Sequence, residues 1–202
     1  MPVGDPREVD SSRKRIRIQW GQFLLNDMLT SKYRTLVCGV NPVDNSRGII
    51  NLIAQALPTS QWDNESITKY AKGYAELSPE KTLVLKYDMD DVKVFALLRP
   101  RNRDVFTLEE FKAGFEKVAQ MAEGRRDRMP MASVSFLGAK SNRLVDEHGN
   151  EPSFETVLRT MFEAGYRGDV YPSVRMWELA PTGVFATYPF PDSLKVMRSG
   201  GF

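Results

Sequence analysis

The chain has 202 residues, 28 Lys+Arg against 26 Asp+Glu, a formal net charge of +2 and a hydrophobic fraction of 42%. That balance excludes a wholly disordered chain and suits one domain with a core of its own. The single cysteine, Cys38, excludes an intrachain disulfide framework, and no apolar run approaches the roughly 18 residues of a transmembrane helix.

Asp5, Glu8 and Asp10 make the start of the chain unlike a secretory signal or an acid-poor transit peptide. The expectation is a cytoplasmic or otherwise intracellular protein, neither secreted nor membrane-bound. Residues 1–13 read as a flexible arm containing Pro2, Gly4, Pro6 and Ser11. The basic run Arg13, Lys14, Arg15 and Arg17 leads to Trp20. Phe23, Leu24, Met28 and Leu29 then predict an amphipathic helix ending near Ser31. Cations oppose the dipole at a helix start, so the basic run is expected to precede that helix.

The apolar stretch Thr35 to Val40 predicts a buried strand, and Asn41, Pro42, Asp44, Asn45 and Ser46 are loop residues. Ile49 to Leu57 predicts a helix apolar nearly all round, stopped by Pro58; a second runs from Asn64 to about Ala75, with Tyr70 and Tyr74 on one face. Thr82 to Tyr87 and Val92 to Leu98 predict a hairpin around an acidic turn.

Thr107 and Glu110 form a capping pair for a helix carrying Leu108, Phe111, Phe115 and Val118. Ala132 to Leu137 predicts a strand, Asp146 to Asn150 a turn, and Ser153 to Gly165 a helix with Phe154, Val157, Leu158 and Met161 on one face. The last forty residues lack a clean period and predict one or two short strands and an extended tail. The element order predicts α+β rather than a doubly wound parallel sheet. It implies one globular domain over 14–189, with a central β-hairpin, several amphipathic helices, and arms at 1–13 and 190–202.

Recognisable catalytic centres are missing from the sequence. His148 stands alone in a turn, Cys38 lies in an apolar run, and their number excludes a zinc site built on several Cys and His. Asp88, Asp90 and Asp91 lack the glycine and terminal glutamate of an EF-hand loop and read as a solvated turn. The glycine-rich nucleotide-binding motifs do not occur. No cofactor and no metal are expected, and the chain leans away from being an enzyme.

Two features point to anions. The loop Gly39 to Gly48 follows a strand and precedes a helix, an arrangement whose free amides hold phosphate; Asn41, Asn45, Ser46 and Arg47 are its candidate residues. Arginines, 17 against 11 lysines, gather in three clusters: Arg13, Lys14, Arg15 and Arg17; Arg99, Arg101 and Arg103; and Arg125, Arg126 and Arg128. The latter two flank the 107–123 helix, whose ends lie about 25 Å apart. If they rim one groove it would follow a phosphate backbone, with Trp20, Tyr70, Tyr74 and Phe106 as stacking candidates.

The plan is similar to that of compact nucleoproteins and coat proteins of RNA viruses, which pair a basic groove with terminal arms; no motif is shared. The resulting expectation is a non-catalytic structural protein that binds RNA or single-stranded nucleic acid and self-associates as a homo-oligomer. Its alternatives are an enzyme acting on a phosphorylated or acidic small ligand, and a protein-interaction module.

Overall fold

Strands rich in β-branched and aromatic residues build a seven-stranded sheet, and the helices divide between its two faces. A computed structural model of the chain describes residues 16–18, 24–30, 33–57, 59–100, 103–123, 131–136, 143–171 and 187–188. Its elements in chain order are β1 (Ile16–Ile18), α1 (Leu24–Leu29), β2 (Thr35–Val40), α2 (Ile49–Ala56), α3 (Asn64–Leu77), β3 (Leu83–Met89) and β4 (Val92–Leu98). There follow β5 (Val105–Thr107), α4 (Leu108–Glu123), β6 (Met131–Val134), β7 (Arg143–Val145), α5 (Phe154–Glu163), β8 (Gly168–Tyr171) and β9 (Thr187–Tyr188).

The sheet order is β3-β4-β2-β6-β8-β1-β9. The five inner strands run parallel, while β3 and β9 close the two ends antiparallel. β5 and β7 form a separate parallel pair. Side chains alternate across a strand. On β2, Leu36, Cys38 and Val40 enter one core while Val37 enters the other. The register carries this pattern sideways: Leu36 pairs with Val94, Cys38 with Ala96 and Val40 with Leu98.

One face is covered by α4 and α5 through Phe111, Phe115, Val118, Phe154, Val157, Leu158 and Met161. The other is covered by α1, α2 and α3 through Leu24, Met28, Ile50, Ile53, Ile67 and Ala71. The chain moves one way along the sheet from β2 to β4 over the second face, and the other way from β4 to β6 and β8 over the first. Opposite directions on opposite faces keep every parallel crossover the same hand, as the right-handed rule requires.

The chain is therefore α+β, with one compact body and a mixed sheet. The hairpin, the strand at 35–40 and the helices expected near 49, 64, 107 and 153 are all present. The parallel centre is the difference, because an irregular element order argued against one. β1, β7 and β8 have three, three and four residues, too few for a period to stand out. The strand expected over 132–137 is Met131–Val134. α2 buries Ile50, Ile53 and Ala54 and leaves apolar Leu52 42% exposed on its outer side.

Strand β3 is an edge, and its outer side is partly capped. The Trp62 indole nitrogen donates to the carbonyl of Asp88 at 2.8 Å, and its ring packs edge-on against Tyr87 and Tyr70. A used edge carbonyl is unavailable to a neighbouring strand. Among the described residues, no helix is long and apolar enough to cross a membrane.

Candidate functional site

In a parallel sheet, ligands collect outside the carboxyl ends of strands where successive connections part in opposite directions. Here that place lies between β2 and β6. The chain leaving β2 turns toward β4 through α2 and α3, whereas the chain leaving β6 turns toward β8 through α5. The β2–α2 loop, the stretch read from sequence as an anion loop, forms one wall.

Short polar side chains fold this loop on itself, as Asn and Asp do in turns. Asn41 Oδ1 accepts from the Val43 amide at 2.8 Å, and Asp44 Oδ1 accepts from the Ser46 amide at 2.9 Å. Asn45 is the hub and is only 3% exposed. Its Oδ1 accepts from the Asn41 amide at 2.9 Å, and its Nδ2 donates to the Asn41 carbonyl at 2.7 Å and to Thr68 Oγ1 at 2.9 Å. The Asn45 amide donates to Asn64 Oδ1 at 2.9 Å, and its carbonyl accepts from Gly48 at 2.9 Å.

Helix α2 starts at the end of this loop, with Gly48 as N-cap and no side-chain cap. The amides of Ile49, Ile50 and Asn51 have no hydrogen-bond partner among the described residues, although Ile50 and Asn51 are buried. The other long helices differ. Asp63 and Ser66 box the start of α3, Thr107 and Glu110 that of α4, and Ser153 caps α5 at the Thr156 amide.

Charge around the loop is mixed. Arg47 and Asp44 are exposed. Hydrogen bonds from Ser46, then from Asn64, with the charge of Arg47, hold the Asp44 carboxyl below its ordinary range. On the neighbouring strand, β6 continues into buried Ser135 and Phe136. Phe136 takes a left-handed backbone, φ +59°, with its ring packed against Phe111 and Phe115. A non-glycine residue there is strained, and ring packing offsets that strain. Ile49 is half-buried and Ile50 and Asn51 are buried, and no nucleophile–base pair accompanies their amides among the described residues.

The arginine clusters fare differently. Arg13, Lys14, Arg15, Arg101, Arg125, Arg126 and Arg128 lie outside the described residues. Arg17 lies in β1, in register with Asp169 of β8. Arg99 follows β4 and is 8% exposed, which places it beneath the surface rather than on a rim. Burial lowers its pKa, with Asp104 opposing. Arg103 is tied to Glu110, the capping residue of α4. Among the stacking candidates, Phe106 is fully buried, which removes it, and Tyr70 and Tyr74 pack edge-on against each other. Trp20 lies outside the described residues.

Two further clusters escaped the sequence reading. Tyr33 donates to Asp169 and Tyr171 donates to Asp27, while the two phenol oxygens lie 3.2 Å apart. Tyr33, Asp169 and Tyr171 are all buried. Burial, reinforced by the neighbouring carboxylates, raises the pKa of both phenols. At the edge of the sheet, Ser60, Trp62, Ser66, Asp88 and Asp90 line an open depression of about 490 Å³. Lys86 and Lys93 each lie 3.9 Å from the Asp88 carboxylate and offset its charge.

His148 sits exposed beside Glu147, and Cys38 is a buried free thiol whose pKa burial pushes up to about 12. Among the described residues, no group of three or more His, Cys, Asp or Glu is placed to hold a metal ion. Asn64 and Thr68, which hold the loop from α3, were missed as site residues. Their spacing of four puts them on one helix face, but nothing local says what that face meets. No protein-family model matches the chain, and no curated protein matches it.

Proposed function

We propose that the chain binds a phosphorylated or otherwise anionic small ligand in the crevice between the carboxyl ends of β2 and β6. The observation that carries the reading is the bare start of α2: three amides without partners, at the point where the connections diverge. Free amides and the positive end of the helix dipole favour an anion. Arg47, exposed and two residues before Ile49, would add a guanidinium.

Thermal shift against a panel of nucleotides and phosphosugars tests it. A ligand that binds only the folded chain raises the melting temperature with its concentration. Saturable stabilisation by a phosphorylated compound and none by its dephosphorylated form is expected. No shift across the panel overturns the reading.

The nucleic-acid reading rests on arginine composition and clustering, and self-association belongs to it. Burial of Arg99 and the Arg103–Glu110 pair weigh against a continuous rim through the second cluster. Single-stranded RNA separates the two readings. Tight binding that falls steeply with salt supports the groove, whereas salt-insensitive or absent RNA binding beside a phosphosugar shift supports the crevice.

A further inference from the structure

We propose that two copies of the chain associate along the outer side of α3, antiparallel, about a two-fold axis that passes beside Gly73. The inner side of this helix is taken by Ile67, Ala71 and Ala75, which are buried against the sheet. On the outer side apolar groups stand in water: Tyr74 is 41% exposed and Leu77 80%. Tyr70 joins Tyr74 to Trp62, with ring distances of 5.0 and 5.6 Å. A contiguous exposed apolar row marks a contact surface, whereas single exposed residues do not. Tyr87 packs edge-on against both Trp62 and Tyr70, and the Trp62 indole is held by the Asp88 carbonyl. Side chains ordered beforehand lose little freedom when a partner meets them.

Gly73 stands in the middle of this side, exposed and within the helix. Glycine is a poor helix former. A Cβ there would meet no atom within 4 Å, so packing inside the chain does not require it. A missing side chain on an exposed helix face lets a second backbone come close.

The residues around Gly73 select a second copy as that partner. Successive helical residues turn by about 100°. Lys69 and Glu76 therefore form a row on one flank of Gly73, and Tyr70 and Leu77 a row on the other. Lys69, Glu76 and Leu77 are exposed and Tyr70 is half-buried. Each row spans about 10 Å of helix, so Lys69 and Glu76 cannot meet within one chain. A two-fold axis at Gly73 reverses each row onto its own copy. Lys69 then lies level with Glu76 of the other copy, within about 1.5 Å along the helix, and Tyr70 lies level with Leu77. Such an axis keeps each row on its own flank, so both matches are made twice and the contact closes at two copies. A parallel pair would set Lys69 beside Tyr70 and Glu76 beside Leu77, leaving both charges without partners.

Sedimentation equilibrium of the full chain, from about 1 µM to 1 mM, tests the seam. One 14-residue helix makes a small contact, so a monomer–dimer equilibrium that responds to concentration is expected. Leu77→Asp changes an exposed site and is expected to weaken association roughly tenfold or more. Lys69→Glu and Glu76→Lys, each alone, are expected to weaken it roughly tenfold, because like charges then face each other twice. An equimolar mixture of those two variants is expected to regain wild-type association, since opposite charges face each other again at both places. Gly73→Gln installs a better helix former in open space. It is expected to raise the melting temperature of the dilute chain and yet to weaken association.

A chain that stays monomeric throughout the range overturns the proposal. A dimer that Leu77→Asp and Lys69→Glu leave unchanged uses another surface and overturns it as well. Loss in each charge variant without recovery in their mixture overturns the antiparallel arrangement.

Discussion

The two faces of the sheet are buried by different chemistry. Under α4 and α5 the core is largely hydrocarbon, with Phe115 meeting Phe111, Phe136 and Tyr166 at ring distances of 4.8, 5.8 and 5.3 Å. Under α1, α2 and α3 it includes Tyr33, Tyr87, Tyr171 and Cys38, together with buried Asp169, Asn45 and Asn51. Apolar contacts are non-directional and tolerate small shifts, whereas each buried polar atom demands a partner at fixed geometry. The first face has such groups as well, in Tyr166 and Thr160, but the second carries the buried carboxylate and both buried asparagines. The loop that leaves β2 for α2 belongs to the second face and inherits its precision.

The sharpest way to break this contrast is to cut the hydrocarbon side. Phe115→Ala is expected to lose about 3–5 kcal/mol, from transfer and cavity terms together. Urea unfolding measures it; a loss below about 1 kcal/mol would mean the aromatic cluster is not what holds the fold. Tyr33→Phe, on the polar side, keeps the ring and removes the hydroxyl that Asp169 accepts from. It is expected to cost about 1–3 kcal/mol, the penalty for an acceptor left short of a donor. Equal losses at the two sites would erase the distinction between the faces.

The polar face also predicts alkaline sensitivity. Burial raises the pKa of Tyr33, Tyr87 and Tyr171 here, as it does of Tyr166 on the other face, and it pushes Cys38 from 9.0 to about 12. A group that keeps its proton longer in the folded state than in the unfolded one makes stability fall as pH rises between its two pKa values. For Cys38 that window runs from 9.0 to about 12, and the phenols extend it upward. Stability is expected to be flat from neutrality to the bottom of this window and to fall above it. Phenolate absorbance of the buried tyrosines should appear together with unfolding. Phenolate that develops before the fold is lost would show these rings to be open to water.

How much of this was legible in the sequence depended on element length. α4 and α5 announced themselves by apolar spacing and caps, and the hairpin by two alternating runs around an acidic turn. β1 hides in a basic run, where Arg17 stands between Ile16 and Ile18 and three residues are too few to show an alternation. Its neighbour β8 lies in the last forty residues, where one or two short strands were expected but no period showed where they begin. Strand order is set by contacts far apart in sequence, so the divergence between β2 and β6 could not be read at all. The loop Asn41 to Gly48 was visible because its turn chemistry is local. Thr68 was invisible because its role exists only once α3 packs beside that loop.

The smallest expected stability change carries the most functional information, and it turns on Gly48. This residue has extended backbone angles, φ −81° and ψ 152°, which any residue adopts, so its lack of a side chain is not demanded by conformation. A Cβ there would meet the Asn45 carbonyl oxygen at 3.3 Å, a tight contact that a slight shift relieves. Gly48→Ser would bring a hydroxyl to the amides of Ile50 or Asn51, doing for α2 what Ser153 does for α5. Gain from the cap and cost of the contact oppose each other, so stability should stay within about 0.5 kcal/mol of the wild type. Pyrophosphate binding should nevertheless be lost, because the serine oxygen occupies the donors the anion needs and presents its own lone pairs to it. Gly48→Ala bears the same contact without an acceptor and should still bind. Calorimetric titration of both variants separates occlusion of the amides from displacement of the loop. Equal binding by Gly48→Ser and Gly48→Ala would place the anion somewhere other than the start of α2.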